Sequence, residues 1–125
     1  MNRRGLGFCL LLLAGSILCL ESSFADYKQA VAYWNQQRYD KAIQELKPDL
    51  DSNPDWEFGH RLMGLCYLNL KNNALAVSSL VRAVQLKSTA YATYQGLGQA
   101  YFNMQQWDKA VQILSQGEPF IKGPT

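Results

Sequence analysis

A self-similarity of 34 residues runs through nearly all of the chain after position 25 and restricts its fold more than any composition figure does. Stepping by 34 aligns Ala30 with Gly64 and Gly98, Tyr33 with Tyr67 and Tyr101, and Asn35 with Asn69 and Asn103. It also aligns Ala42 with Ala76 and Ala110, and Leu46 with Leu80 and Leu114. At average composition three residues coincide in one column by accident on the order of one percent of the time. Four fully identical columns therefore mark a repeat. A unit this short hides its apolar face only against the next unit, which makes a solenoid, and function belongs to a surface that several units share. The pattern defines a binding scaffold without naming its partner.

Inside each unit the apolar residues fall at helical spacing. In the second, Leu62, Leu65, Cys66, Asn69 and Leu70 step by three and four, and after Asn72-Asn73 so do Leu75, Ala76, Val77, Leu80 and Val84. Two amphipathic helices per unit follow, and no segment alternates with the period of a strand. Asn53 is expected to cap a helix starting at Pro54, Ser88 or Thr89 to cap the third unit, and Asp40 and Asp108 to stand where second helices begin. The Ala30/Gly64/Gly98 column precedes the Ala42/Ala76/Ala110 column by 12 residues, so small residues are expected to face small ones across each hairpin. Tyr33, Tyr67 and Tyr101 would fill the space beside them, with Leu46, Leu80 and Leu114 reaching toward the next unit. Pro48 is expected to kink or shorten its helix near Lys47, and Gly117 and Pro119 to stop the last helix early.

Residues 1–25 read as a secretory signal peptide: Arg3 and Arg4 precede an apolar run from Leu6 to Leu20, closed by Ser23-Phe24-Ala25. Cleavage between Ala25 and Asp26 would leave 100 residues. An uncleaved anchor is the rival reading, although a membrane-crossing helix needs about 20 apolar residues. Lipid modification of Cys19 is a second rival, with bulky Leu18 where a small residue is usual. The short arginine segment suits a bacterial leader, hence a periplasmic or secreted destination, with membrane anchoring by an uncleaved segment as the alternative. Without the leader the chain keeps 10 Lys/Arg and 9 Asp/Glu, a net charge of +1, and no basic cluster. Nothing is left to neutralise a run of phosphates or bind an anionic membrane, so nucleic acid is not expected as a partner, nor membrane insertion after cleavage. Cys9 and Cys19 leave with the leader, and Cys66 stands in a column with Ala32 and Ala100, as buried filler or, alternatively, as an intermolecular disulfide partner or reactive thiol.

These columns resemble the tetratricopeptide repeat family, whose signature runs W-x2-L-G-x2-Y, then A-x3-F, then P. The third unit carries Tyr94, Leu97, Gly98, Tyr101, Ala110 and Leu114; the second Met63, Gly64, Tyr67, Ala76 and Leu80; the first Ala30, Tyr33, Ala42, Leu46 and Pro54. The resemblance implies an all-α fold, an α-solenoid of three antiparallel helix pairs wound as a right-handed superhelix. The domain would span residues 26–117, in units of about 23–56, 57–90 and 91–117, with a tail over 118–125. Departures are the tryptophan column, which holds Asp26, His60 and Tyr94, and the glycine between the helices, here Gln37, Lys71 and Gln105.

The resemblance also implies a concave groove lined by the first helices, which holds a protein or peptide partner. Its residues would be Tyr27, Val31, Trp34 and Asn35 from the first unit, then Phe58, Arg61, Leu65, Leu68 and Asn69, then Gln95, Gln99, Phe102 and Asn103. Val31, Trp34, Leu65, Leu68 and Phe102 would form an apolar strip suited to a helix or extended peptide with apolar anchors. Packing is the competing role for the strip, and helix termination the competing role for the asparagines. Chaperone-binding relatives grip a C-terminal carboxylate with Lys, Asn and Arg, whereas the corresponding positions here are Tyr27, Val31, Leu62, Ala92 and Gly96. That clamp is missing.

Enzymatic chemistry has little support. His60 is the only histidine, Ser78-Ser79 have no base at suitable spacing, and Asp49, Asp51 and Asp55 lack the glycine turn and terminal glutamate of a calcium loop. No cofactor or metal is expected. Only Glu118 to Thr125 follow the last unit, so Phe120 and Ile121 are expected to fold back over the exposed end, or that end to pair with another chain. The chain thus reads as an exported adaptor or assembly factor of the bacterial envelope, with a self-associating structural module, a homo-oligomer through its uncapped C-terminal end, as the alternative.

Overall fold

The computed structural model describes residues 27–122, and the expected leader lies outside them. Helix α1 occupies 27–35, α2 Tyr39–Ser52, α3 Glu57–Asn69, α4 Asn73–Gln85, α5 Tyr91–Asn103 and α6 Trp107–Gly117, before a 3-10 turn over Glu118–Phe120. Among the described residues there is no strand. The helices form three hairpins, α1/α2, α3/α4 and α5/α6, stacked as an α-solenoid.

The hairpin turns explain the period. Gln37, Lys71 and Gln105 adopt φ of 59°, 65° and 61°, the left-handed region that favours glycine. Around Lys71, the Asn72 N–H donates to Tyr67 O at 2.9 Å and the Lys71 N–H to Leu68 O at 3.0 Å, so orphan carbonyls of α3 are satisfied. The same pair of bonds closes α1 at Gln37 and α5 at Gln105. Asn72 then caps α4, its Oδ1 accepting the Leu75 N–H at 3.3 Å. Asp40 and Asp108 stand in the first turns of α2 and α6, as expected.

Between hairpins the expectations fare less evenly. Pro48 does not shorten α2, which runs on to Ser52. One lost backbone bond is a limited penalty, and Leu50, buried beyond the proline, holds the last turn on the core. The longer α2 displaces the next start: Pro54 and Asp55 form a turn in which Asn53 O accepts the Trp56 N–H at 3.2 Å. Consequently α3 begins at Glu57, with Trp56 rather than Asn53 at its cap position. Likewise α5 starts after Ala90 with no side-chain cap. Ser88 works upstream of it: its buried Oγ lies 2.7 Å from Thr93 Oγ1, and its carbonyl accepts the Tyr94 hydroxyl at 2.7 Å.

The core has two centres. Ala30, Ala42, Ile43, Leu46, Leu50, Leu62, Met63 and Cys66 form the first; Leu80, Tyr94, Leu97 and Ile113 form the second. Small residues permit close approach in the second and third hairpins, but there the glycine meets a leucine rather than the alanine column. A methyl on Gly64 would sit 2.5 Å from Leu80 Cγ, and one on Gly98 2.8 Å from Leu114 Cγ. The facing residue is the leucine one helical turn beyond the alanine column, because a side chain can fill the notch that glycine leaves. Leu80 also reaches across to α5, where a methyl on Gly96 would meet its Cδ1 at 3.3 Å.

Candidate partner-binding groove

The first helices of the hairpins lie side by side. Tyr27 on α1 meets Phe58 on α3 edge to face, with ring centroids 4.7 Å apart. Further along, Leu65 Cδ2 would stand 2.7 Å, and Leu68 Cδ2 3.8 Å, from a methyl on Gly96 of α5. Residues from all three units therefore share one face.

At the N-terminal end of that face Trp56 lies across Gly59 and joins Tyr27, centroids 5.7 Å apart, and Phe58, 5.9 Å apart. The Arg61 guanidinium sits 4.7 Å from the Phe58 ring centre, and its Nε donates to Glu57 Oε1 at 3.1 Å. A cation held between a ring and a carboxylate one turn away presents its remaining donors in a fixed direction.

Much of the strip belongs to packing. Val31 and Trp34 lie half-buried against the first core cluster, Leu65 against the second, and Leu68 is also half-buried. At the other end Phe102 is 56% exposed and meets Trp107 of α6 edge to face, centroids 4.9 Å apart. Trp34 meets Tyr39 in the same way at 5.1 Å, one aromatic pair at each end of the stack. Tyr39 and Trp107 share a column five residues after Trp34 and Phe102, a signal legible in the repeat and missed in the groove assignment. Trp56, outside the aligned columns, carried no such signal.

The polar residues divide. Asn69 Nδ2 donates to Leu65 O at 2.8 Å, inside its own helix. Asn103 accepts from Gln99 Nε2 at 2.9 Å and donates to Asn73 Oδ1 at 3.0 Å, linking α5 to α4. Asn69 thus bonds backbone at the end of its helix and Asn103 only side chains, and both are exposed, as are Asn35 and Gln95. Of the carboxylate-clamp positions, Leu62 and Gly96 are buried in the joints between units and Tyr27 is held among rings.

Two family models, each for a tetratricopeptide repeat, match residues 24–47 with 90–116 and residues 62–89. The chain belongs to the tetratricopeptide repeat family. No curated protein matches its sequence. Among solved tetratricopeptide structures, the first such domain of Spaghetti (RPAP3), bound to the HSP90 peptide SRMEEVD, is similar with a TM-score of 0.69 and 24% identity, over 79% of this chain and 81% of that one. The first domain of human RPAP3 gives 0.66 and 25% identity, over 78% and 79%. MamA gives 0.72 and 20% identity, over 78% of this chain and 57% of its own. Such likeness establishes a shared tetratricopeptide fold.

Away from the tetratricopeptide groove, Cys66 is fully buried, and burial pushes its thiol from 9.0 up to about 12. His60 Nε2 lies 2.7 Å from Pro54 O, which engages that nitrogen as a donor. Among the described residues no group of three or more His, Cys, Asp or Glu could hold a metal ion, and no helix is long and apolar enough to cross a membrane.

Proposed function

We propose that this protein binds a protein or peptide partner along the face formed by α1, α3 and α5, as an exported adaptor or assembly factor of the bacterial envelope. The carrying observation is the pair of aromatic contacts at its two ends, Trp34 on Tyr39 and Phe102 on Trp107, the second open to solvent. Large rigid rings bind apolar anchors at low entropic cost, and the oriented Arg61 offers a site for a carbonyl or carboxylate of the partner. Solved relatives support peptide binding as a mode, since Spaghetti domains hold the HSP90 peptide SRMEEVD. Capture of an acidic C-terminus is not part of the proposal, because Tyr27, Val31, Leu62, Ala92 and Gly96 supply no cation at the clamp positions. Export rests on the pattern of residues 1–25 alone.

Exchanging Trp34 and Phe102 for Ala together should abolish capture of the partner from an envelope extract while far-ultraviolet circular dichroism stays helical. Retention of every captured protein by that variant would remove the groove assignment.

A further inference from the structure

The three helices that line the groove carry few charged residues. Helix α5 has no Asp, Glu, Lys or Arg, and its exposed residues are Ala92, Gln95, Gln99, Phe102 and Asn103. Helix α2, by contrast, carries Asp40, Lys41, Glu45, Lys47, Asp49 and Asp51. Lys28 of α1 shares its column with Leu62 and Gly96, which are buried in the joints between units, so it belongs to the end of the stack rather than to the groove. What remains is Glu57 with Arg61, joined at 3.1 Å and neutral as a pair. A partner carboxylate brought to Arg61 would also meet Glu57, whereas a carbonyl adds no like charge beside it.

In place of charges the groove carries side-chain amides, and three of them form a directed chain. Gln99 Nε2 donates to Asn103 Oδ1 at 2.9 Å, and Asn103 Nδ2 donates to Asn73 Oδ1 at 3.0 Å. Each amide has one acceptor oxygen and one NH2, so the chain leaves Gln99 Oε1 as an open acceptor at one end and the Asn73 NH2 as an open donor at the other. Asn69 likewise uses its NH2 on Leu65 O and keeps its oxygen free. Neutral donors and acceptors at set positions match the N–H and C=O groups of an extended peptide, which offers both on one side at every second residue. A charged side chain in the same place would lose water without gaining a counterion.

We infer that the occupant of this groove is an extended segment of another protein with no charged side chain on its bound face, its main chain held by the amides and its apolar side chains by the rings. This rests on the groove of the proposed function and names the chemistry of what fills it.

The probe is a random dodecapeptide library displayed on phage and selected on the full-length protein, with the retained peptides synthesised and titrated by calorimetry. Retained sequences should be poorer in Asp, Glu, Lys and Arg than the library. Their affinity should stay within about twofold between about 50 and 500 mM NaCl, since binding forms no ion pair for salt to screen. Lys or Asp in place of a central apolar residue should each weaken binding about tenfold or more, and so should N-methylation of a central peptide group, which removes a main-chain donor. Gln99→Ala together with Asn103→Ala should weaken binding by a similar factor while circular dichroism stays helical. Retained peptides rich in charge, affinity that falls about tenfold with salt, or full tolerance of N-methylation overturns the inference, and so does a library from which nothing is retained. The groove fails separately. Charged peptides whose binding is lost on exchanging Trp34 and Phe102 for Ala keep the groove and overturn its neutral occupant, whereas uncharged peptides that bind this variant unchanged remove the groove and the inference with it.

Discussion

Leu80 and Leu114 hold the same place in successive units and meet the same kind of glycine, yet one is sealed and the other a third exposed. At the α4/α5 joint the leucine is gripped from two sides, by the Gly64 notch of its own hairpin and by α5 beyond. At α6 Leu114 fills the Gly98 notch of its own hairpin and stays a third exposed. Identical local chemistry thus gives a rigid joint in one place and an accessible apolar surface in the other. Solenoid stability is carried by interfaces between units, so position in the stack decides what a given residue contributes.

Truncation gives the largest expected difference. Leu80→Ala should cost about 2–5 kcal/mol, since its cavity is walled on both sides, whereas Leu114→Ala should cost about 1 kcal/mol because solvent replaces the lost group. Equal shifts in denaturant midpoint would break the comparison. Next comes overpacking: Gly64→Ala should destabilise by about 1–2 kcal/mol, because the new methyl meets a leucine that cannot retreat. Gly98→Ala should cost clearly less, as Leu114 can swing toward water; chemical melts of the two variants decide it. A smaller effect sharpens the contrast by ignoring stack position. Lys71→Gly and Gln105→Gly each relieve a left-handed backbone and should stabilise by about 0.5–1 kcal/mol, equally at the inner and the outer turn.

The least effect on stability near neutral pH concerns Cys66. Its raised pKa means that the folded state keeps the proton where the unfolded state loses it, so this contribution is complete below pH 9.0 and declines as pH rises toward about 12. Iodoacetamide at pH 9, read by peptide mapping at this residue, should react at least about 100-fold more slowly in the folded protein than in denaturant. Comparable rates would show that the first core cluster opens readily.

Much of the fold was legible because the repeat aligns residues that do the same structural work. The hairpin turns fell in the column where relatives carry glycine, and the alanine and leucine columns marked the helix faces that meet. Errors gathered at the α2/α3 connection: Pro48 was expected to kink or shorten α2, which Leu50 holds on the core as far as Ser52, and Pro54 to begin a helix that starts only at Glu57. The groove was legible as a list of positions and less so as a surface. Val31 and Leu65 pack against the core, Asn69 bonds a carbonyl of its own helix, Asn103 bonds the Asn73 side chain of α4, and Trp107 completes an aromatic pair from another helix.

By itself the sequence determined the period, the two helices per unit and the small residues that let them meet, since helical spacing and side-chain volume act over a few turns. Only the tertiary structure decided how far each copy of a column is covered. Exposure depends on the neighbouring unit, and Leu80 and Leu114 carry no internal record of which of them has one.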